Sequence, residues 1–550
     1  MLRHELVGFG ALLLAAGVTI ACRDDETVSQ EHGSHAPDIQ QGTLITLADG
    51  QIQGAVDGGS RRFLGIPFAK PPVGELRWKA PVKNDPWTGV RDTTAFGGRC
   101  AQLANLQAPE SLNEDCLYLN VWVPEPAPTT LVPVMFWIHG GGNTSGSASD
   151  DIPLGVGNLF YNGRAFAERH GVIVVTTNYR VGALGFFSHP DLAKEGSPAG
   201  NQGLLDQRRA LEWVHDNIAA FGGDPSNVTV FGESAGSFDT CFHVVSPGSK
   251  GLFQRAISES GGCTTRILPL AEANTGVAPF VEAMGCTHAA DPLACLRDKP
   301  VADLIVAPPI DGAPDPQLPG GAQYVGLPAR WRFGPVVDGE VLPDQPRALF
   351  ADGNVADVPY ILGSNTDEGT LFHISAPPVT TEAEYMAALE RRFKTLAPEV
   401  AKLYPVANFD SPNAAIQRVT GDASLVCGTF DSAVRAAEAG RKVWMYNFDF
   451  PIAIQGLDAL GATHGAEIAF VFASAADPTA DQTKVSEIMQ DYWVRFAKTG
   501  DPNGDTAFAW PSFGPSANKR LNIRPDPSVV EDFRKTECAF WRQTYDAAFQ

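Results

Sequence analysis

The chain has 550 residues, with 41 Lys+Arg against 63 Asp+Glu and a formal net charge of −22. Hydrophobic residues make up 44% and charged residues 19%, the balance of a folded globular protein. The acidity and the lack of any Lys/Arg run exclude a phosphate-backbone footprint and a polybasic membrane patch.

The first predicted element is a leader. Arg3 supplies a positive charge, and Leu6 to Ile20 is an apolar run of 15 residues ending at Ala21-Cys22. The run is shorter than the roughly 20 residues a membrane helix needs, and its layout is that of a secretory signal. Ala-Cys after a small, apolar stretch resembles a bacterial lipoprotein signal, although Thr19 stands where leucine is usual. In that reading Cys22 is lipidated. The expectation is a signal peptide over 1–22, a polar tether over 23–41 and one domain over 42–550. The protein is then exported to the periplasm or outside, with a lipid anchor if Cys22 is modified.

Beyond the tether, short apolar runs alternate with helical patterns. Val132–Ile138 leads into His139-Gly140-Gly141-Gly142, and Val172–Thr177 into Asn178-Tyr179-Arg180. Gly203–Phe221 places Leu204, Leu211, Val214 and Ile218 on one face at helical spacing. Asn227–Phe231 leads into Gly232-Glu233-Ser234, Val358–Leu362 precedes Asp367-Glu368-Gly369, and Val443–Phe448 precedes Thr463-His464-Gly465. Strands alternating with helices predict an α/β fold, a mostly parallel sheet covered on both faces. Ligands bind such sheets beyond the carboxyl ends of the strands, where the unusual residues here cluster.

Gly232-Glu233-Ser234-Ala235-Gly236 is a G-x-S-x-G between a strand and a helix. A sharp turn there strains the serine and lifts its hydroxyl above the sheet, and flanking glycines are needed where backbone passes close. A hydrolytic serine needs N–H donors aimed at the developing oxyanion. Gly141 and Gly142 of the glycine run, with Ala235 after the nucleophile, are the expected donors.

In this arrangement the base follows the serine and the acid lies between them. Four histidines follow Ser234: His243, His288, His373 and His464. His243 lies in the helix after the serine, His288 in the Cys286-to-Cys295 loop, and His373 close behind Glu368. His464 follows a predicted strand and is the preferred base. Glu368 is the preferred acid, with Asp367 next and Asp338 third. Glu233 is expected to be buried, either shaping the field on the serine or bonding the elbow.

Nine cysteines are present, and eight remain without Cys22. An even number in an exported chain suggests disulfides, but spacing alone leaves 105 pairings. No CxxC occurs, which argues against a zinc ribbon or a thioredoxin-type site.

Several further segments sharpen the picture: Phe63-Leu64-Gly65-Ile66-Pro67-Phe68-Ala69, Glu114-Asp115-Cys116-Leu117-Tyr118-Leu119-Asn120-Val121, Asn178-Tyr179-Arg180-Val181-Gly182, Gly363 through Gly369, and His464-Gly465-Ala466-Glu467-Ile468. With Phe231 through Gly236, they make residues 43–545 resemble the type-B carboxylesterase family of α/β-hydrolases, which contains carboxylesterases, cholinesterases and fungal lipases. With its leader, the chain is expected to be a bacterial, exported member.

The resemblance implies an α/β-hydrolase fold with insertions around a gorge, Ser234 as nucleophile, Glu368 as acid, His464 as base, and Gly141, Gly142 and Ala235 as oxyanion donors. It implies disulfides Cys100–Cys116 and Cys286–Cys295, and suggests Cys427–Cys538. Cys241 and Cys263 remain and are expected to pair, since Cys263 follows a predicted strand near the nucleophile helix.

Departures from cholinesterases matter. Leu106 and Leu371 stand where those enzymes carry aromatics that hold a quaternary ammonium, so choline specificity is not supported. Trp331 and Phe372 fall near the acyl pocket of relatives, and Glu233 and Leu371 complete the pocket candidates. The small, polar run from Asn143 to Gly157 is a candidate gorge rim.

Two decoys remain. Asn143-Thr144-Ser145 and Asn227-Val228-Thr229 read as glycosylation sequons. Asp501-Pro502-Asn503-Gly504-Asp505 reads as a surface turn rather than a calcium loop, because the later glutamate is missing.

The resulting expectation is a serine esterase acting on small-molecule esters, with no metal or organic cofactor. Activity on a bulky natural-product ester, carbamate or amide is the alternative within the enzyme class. Outside it stands a non-catalytic binding protein of the neuroligin kind, whose usual mark, a lost nucleophile, is absent here.

Overall fold

The computed structural model describes residues 39–547, apart from 106–107, 151–159, 198, 306–332, 375, 453, 455, 476 and 505–507. The leader with Cys22, Leu106 and Trp331 lie outside the described residues, as do 23–38 of the expected tether. The last residues of that tether are already fastened. Gln40 N–H donates to Ala220 O (3.1 Å), and its side-chain Oε1 accepts from Thr46 N–H (2.7 Å).

A 12-stranded sheet organises the fold. In chain order its strands are β1 (Ala55–Asp57), β2 (Ser60–Pro67), β3 (Tyr118–Pro124), β4 (Val132–Ile138), β5 (Ile173–Thr177), β6 (Gly223–Glu233), β7 (Arg255–Glu259), β8 (Tyr360–Asn365), β9 (Val443–Phe448), β10 (Ser512–Phe513), β11 (Lys519–Ile523) and β12 (Ser528–Glu531). Across the sheet they run β12-β11-β9-β8-β7-β6-β4-β5-β3-β2-β1, with β10 against β9. From β5 to β11 neighbours on this path pair in parallel, as the alternation of strands and helices predicts. The flanks, β1 to β3 at one edge and β12 at the other, are antiparallel.

The central strands are apolar because both of their faces are covered. In β4, Val134, Phe136 and Ile138 enter one hydrophobic core, while Met135 and Trp137 enter a second. Helix α1 (Gln202–Asn217) lines the first core with Leu204, Leu211 and Val214. The expected helix over 203–221 tightens into a 3-10 turn at Ile218–Phe221. Its buried surface is wider than the apolar stripe, because Asp206 is also buried and forms a bidentate pair with Arg180 (both bonds 2.7 Å).

Three more helices are used below. Ala235–Val245 is α2, Cys427–Glu438 is α3 and Ala480–Thr499 is α4. Helix α4 opens with a Thr479/Gln482 capping box, closes on left-handed Gly500, and fills the second core with Val485, Met489, Trp493 and Phe496.

The eight cysteines after Cys22 are paired as expected: Cys100–Cys116, Cys241–Cys263, Cys286–Cys295 and Cys427–Cys538. Such pairing belongs to chains that fold in an oxidising compartment. Cys427–Cys538 spans 111 residues against 9 for Cys286–Cys295. By loop length alone it restrains the unfolded chain by about 2 kcal/mol more.

Register sets up the site. Ile138 of β4 lies opposite Gly232 of β6, so the glycine loop and the serine turn leave the sheet side by side. Glu259 of β7 faces Glu233 on one side and Gly363 of β8 on the other. The segments after β6, β8 and β9, which carry Ser234, Glu368 and His464, therefore share one end of the sheet.

Candidate active site

Ser234 joins β6 to α2 with φ 57° and ψ −122°, a conformation that an L-residue holds only when its surroundings dictate it. Its N–H donates to Glu259 O (2.9 Å), and its carbonyl accepts from Ser237 and Phe238 N–H (both 3.0 Å). The flanking glycines are obligatory. A Cβ on Gly232 would lie 2.6 Å from Ile138 O, and one on Gly236 would lie 2.0 Å from the same atom.

His464 Nε2 is 2.8 Å from Ser234 Oγ, and His464 Nδ1 is 2.7 Å from Glu368 Oε2. The other Glu368 oxygen accepts the Asn365 backbone N–H (2.8 Å), and Asn365 Nδ2 donates to Thr463 O (2.8 Å). The acid loop and the histidine loop are thus fastened together just before each presents its side chain.

The rivals are engaged elsewhere. Asp367 pairs with Arg418 (3.3 Å) and accepts from Ala462 N–H (3.2 Å). Asp338 caps its own turn through Glu340 and Leu342 N–H (both 3.0 Å). Buried His243 is held between Ser249 and Gln207, His373 contacts Thr420, and His288 is exposed.

A buried carboxylate cluster surrounds the imidazole. Glu233 lies 4% exposed beneath the site, with Oε1 3.3 Å from His464 Nε2. Glu467 accepts from Ser260 Oγ (3.1 Å) and from Asn365 Nδ2. Glu259 accepts from Trp493 Nε1 (2.7 Å). Glu259, Ser260 and Trp493 were not foreseen, and Glu467 only as part of a motif. Their partners are far along the chain, and no local pattern marks them.

Burial lifts Glu233, Glu467 and Glu259 above the usual carboxylate range. For His464, burial acts downward, but the charges of Glu233 and Glu368, the Glu368 hydrogen bond and Glu467 outweigh it and raise the imidazole to about 9. In the role of base proposed below, His464 must be neutral, so kcat/KM should rise with pH as it loses its proton. Glu233→Gln removes an anion that favours the imidazolium. The acid limb of kcat/KM is expected to move about one unit to lower pH, measured from pH 5 to 10. An unmoved limb would mean that Glu233 carries no charge while His464 titrates.

The glycine loop passes directly over the serine. Gly141 and Gly142 have φ of 104° and 65°. A Cβ on Gly141 would lie 2.2 Å from Ser145 O, and one on Gly140 would lie 2.8 Å from Glu233 Oε2 and 3.0 Å from Ser234 Cβ. Among the described residues, none accepts a hydrogen bond from the N–H of Gly141, Gly142 or Ala235. His139, before the glycines, is buried and stacks on Tyr179 at 4.3 Å, and the Tyr179 hydroxyl donates to His139 O (2.9 Å).

Of the pocket candidates, Phe372 lies with its ring centre 5.1 Å from that of His464, and half-buried Leu371 starts the same 3-10 turn. A cavity of about 150 Å³ lies beside the glycine loop, walled by Gln102, Leu103, Thr144, Ser145, Gly182 and Ile305. Of the expected rim, 151–157 lie outside the described residues; Asn143, its first residue, is buried and its side chain bonds Asp239, which rules it out as a glycan acceptor.

The carboxylesterase family model matches residues 41–541. An acetylcholinesterase of Bungarus fasciatus is 33% identical over 547 residues, covering 90% of this chain and 85% of that protein. A match of that extent, on a sheet of this order, leads to one assignment: the chain belongs to the carboxylesterase family and is a carboxylic ester hydrolase.

Proposed function

We propose that this hydrolase cleaves small, uncharged carboxylic esters through an acyl-enzyme formed on Ser234. The observation that carries the reading is the unbroken line from Glu368 through His464 to Ser234, with steps of 2.7 and 2.8 Å. His464 Nε2 takes the Ser234 proton as Oγ attacks the ester carbonyl. Glu368 keeps the remaining proton on Nδ1 and stabilises the imidazolium. Gly141, Gly142 and Ala235 N–H groups take the oxyanion, each worth about 3 kcal/mol in a site of this kind. The alcohol leaves with the proton from His464, and water activated by the same nitrogen then releases the acid.

The relative's name points to acetylcholine. Leu371 offers no aromatic face to a quaternary ammonium, which favours neutral esters. Acetylthiocholine and its uncharged isostere 3,3-dimethylbutyl thioacetate, compared on the chain from residue 23, should give kcat/KM values within about threefold, less than a cation–π contact would contribute. A tenfold preference for the cation would overturn the substrate reading. Residues 1–22 are read as an export signal and 42–550 as one catalytic domain, and the four disulfides support export.

A further inference from the structure

An oxyanion hole built from Gly141, Gly142 and Ala235 takes donors from two separate elements, the loop after β4 and the start of α2. Their relative position must hold to a fraction of an ångström to be useful. Among the described residues, three side-chain ties hold the loop. Tyr179 holds its start through His139 O, and Gln102 holds its end, bonding both Gly146 N–H (2.7 Å) and Gly146 O (2.9 Å). The third tie, in the middle, reaches the nucleophile helix itself.

Asn143 follows Gly142 directly. It takes a left-handed φ of 57°, which asparagine tolerates better than most residues, and it is 4% exposed. Its Nδ2 donates to Asp239 Oδ1 (3.0 Å), and its carbonyl accepts from Gly182 N–H (2.7 Å). Asn143 Oδ1 has no partner among the described residues. Asp239 lies fully buried on α2, one turn beyond Ser234.

The other Asp239 oxygen accepts from Gln207 Nε2 (2.6 Å). Gln207 Oε1 then accepts from His243 Nε2 (2.9 Å), and His243 Nδ1 accepts from Ser249 Oγ (2.8 Å). Burial pulls His243 down to about 3, so its ring is neutral, with one donor and one acceptor for these two partners. Every donor on this line points toward Asp239. A buried carboxylate is costly, and an apolar residue of similar size would pack more cheaply.

We propose that Asn143 and Asp239 are positioning residues for ester hydrolysis: their bond locks the loop bearing Gly141 and Gly142 onto the helix bearing Ser234 and Ala235, fixing the oxyanion donors relative to the nucleophile. This rests on the oxyanion assignment made above. Neither residue touches the substrate. What they supply is a geometry that matters in the transition state and little in the ground state.

The test uses the chain from residue 23 and three variants. Asn143→Gly deletes the amide while keeping the left-handed backbone, Asp239→Leu deletes the acceptor at similar volume, and Asp239→Asn keeps one acceptor. With p-nitrophenyl acetate, Asn143→Gly and Asp239→Leu should each lose about 100-fold in kcat with KM within threefold. The double variant should be no worse than either single one. Affinity for an aryl trifluoromethyl ketone, which forms a tetrahedral adduct, should fall in parallel with kcat. Affinity for the matching methyl ketone should hold, and Asp239→Asn should recover most of the lost rate.

Wild-type kcat and unchanged trifluoromethyl ketone affinity in Asn143→Gly would overturn the proposal. So would losses in the two single variants that multiply in the double. If Asp239→Leu does not fold, Asn143→Gly and Asp239→Asn decide between the same outcomes. Labelling of wild-type Ser234 by diethyl p-nitrophenyl phosphate separates the two levels. If Ser234 takes no label, the nucleophile assignment itself fails; a labelled wild type with a fully active Asn143→Gly refutes the positioning role alone.

Discussion

Ser234→Ala should lower kcat for p-nitrophenyl acetate by about 10⁶-fold, the scale seen when a triad serine is removed elsewhere. The reason is geometric. Ser234 Oγ lies 2.8 Å from His464 Nε2, and no other hydroxyl is held there by a bond of this kind among the described residues. The loss should be confined to chemistry. The backbone bonds that hold the turn run through Ser234 N–H and C=O and survive the change. Alanine faces the same left-handed strain that serine does. The melting temperature should therefore stay within a few degrees of wild type, read alongside the rate. The residual activity, about 10³-fold above water, would come from the oxyanion donors and binding.

Glu368→Gln should cost about 10⁴-fold in kcat while leaving the shape of the site intact. Glu368 spends its two oxygens differently, one on the Asn365 backbone N–H and one on His464 Nδ1. A glutamine satisfies the first with its carbonyl and is then left with an NH₂ facing Nδ1. That amide donates, so Nδ1 must accept, and the ring proton moves to Nε2. A histidine with its proton on Nε2 has no lone pair for Ser234. Steady-state kinetics on p-nitrophenyl acetate with a thermal melt checks this. A loss under tenfold would mean that Glu368 only packs against the ring. Glu368→Asp should fall between the two, because it keeps the charge but withdraws it by one methylene.

The chemistry-bearing parts of the site were legible because each is local. The turn at Ser234 is written in five consecutive residues, and the glycine loop in four. Their flanking strands announce themselves as β-branched, apolar runs: Val132–Ile138 and Val443–Phe448 coincide with observed strands. The strand before Glu368 was placed two to three residues early. Pro359, which has no N–H for the ladder, keeps the strand from starting before Tyr360, while polar Ser364 and Asn365 extend it under full burial. The antiparallel flanks and the 3-10 end of α1 were not foreseen, since edge strands and tight turns carry weak patterns.

What was hidden is the support of the site. Asn143 reads in sequence as a sequon beside a glycine run, and Asp239 as a polar residue in a helix. Their meeting depends on a separation of 96 residues, and that of Ser260 with Glu467 on one of 207. Buried polar pairs of this kind are set by how the sheet brings its loops together, and no window of the sequence contains both partners. Glu233 shows the same limit. Its neighbour Ser234 marks it as close to the chemistry, but only the fold shows its carboxylate turned under His464 rather than into an open pocket.

The central claim is that a covalent intermediate forms on Ser234. The most direct measurement is mass spectrometry of the chain from residue 23 after diethyl p-nitrophenyl phosphate, with peptide mapping and residual activity on the same sample. One diethylphosphoryl group per chain on the peptide holding Gly232 to Gly236, absent from Ser234→Ala and matching the activity lost, is the expected result. An adduct on another residue, or full activity in chains that carry the label on Ser234, would contradict it.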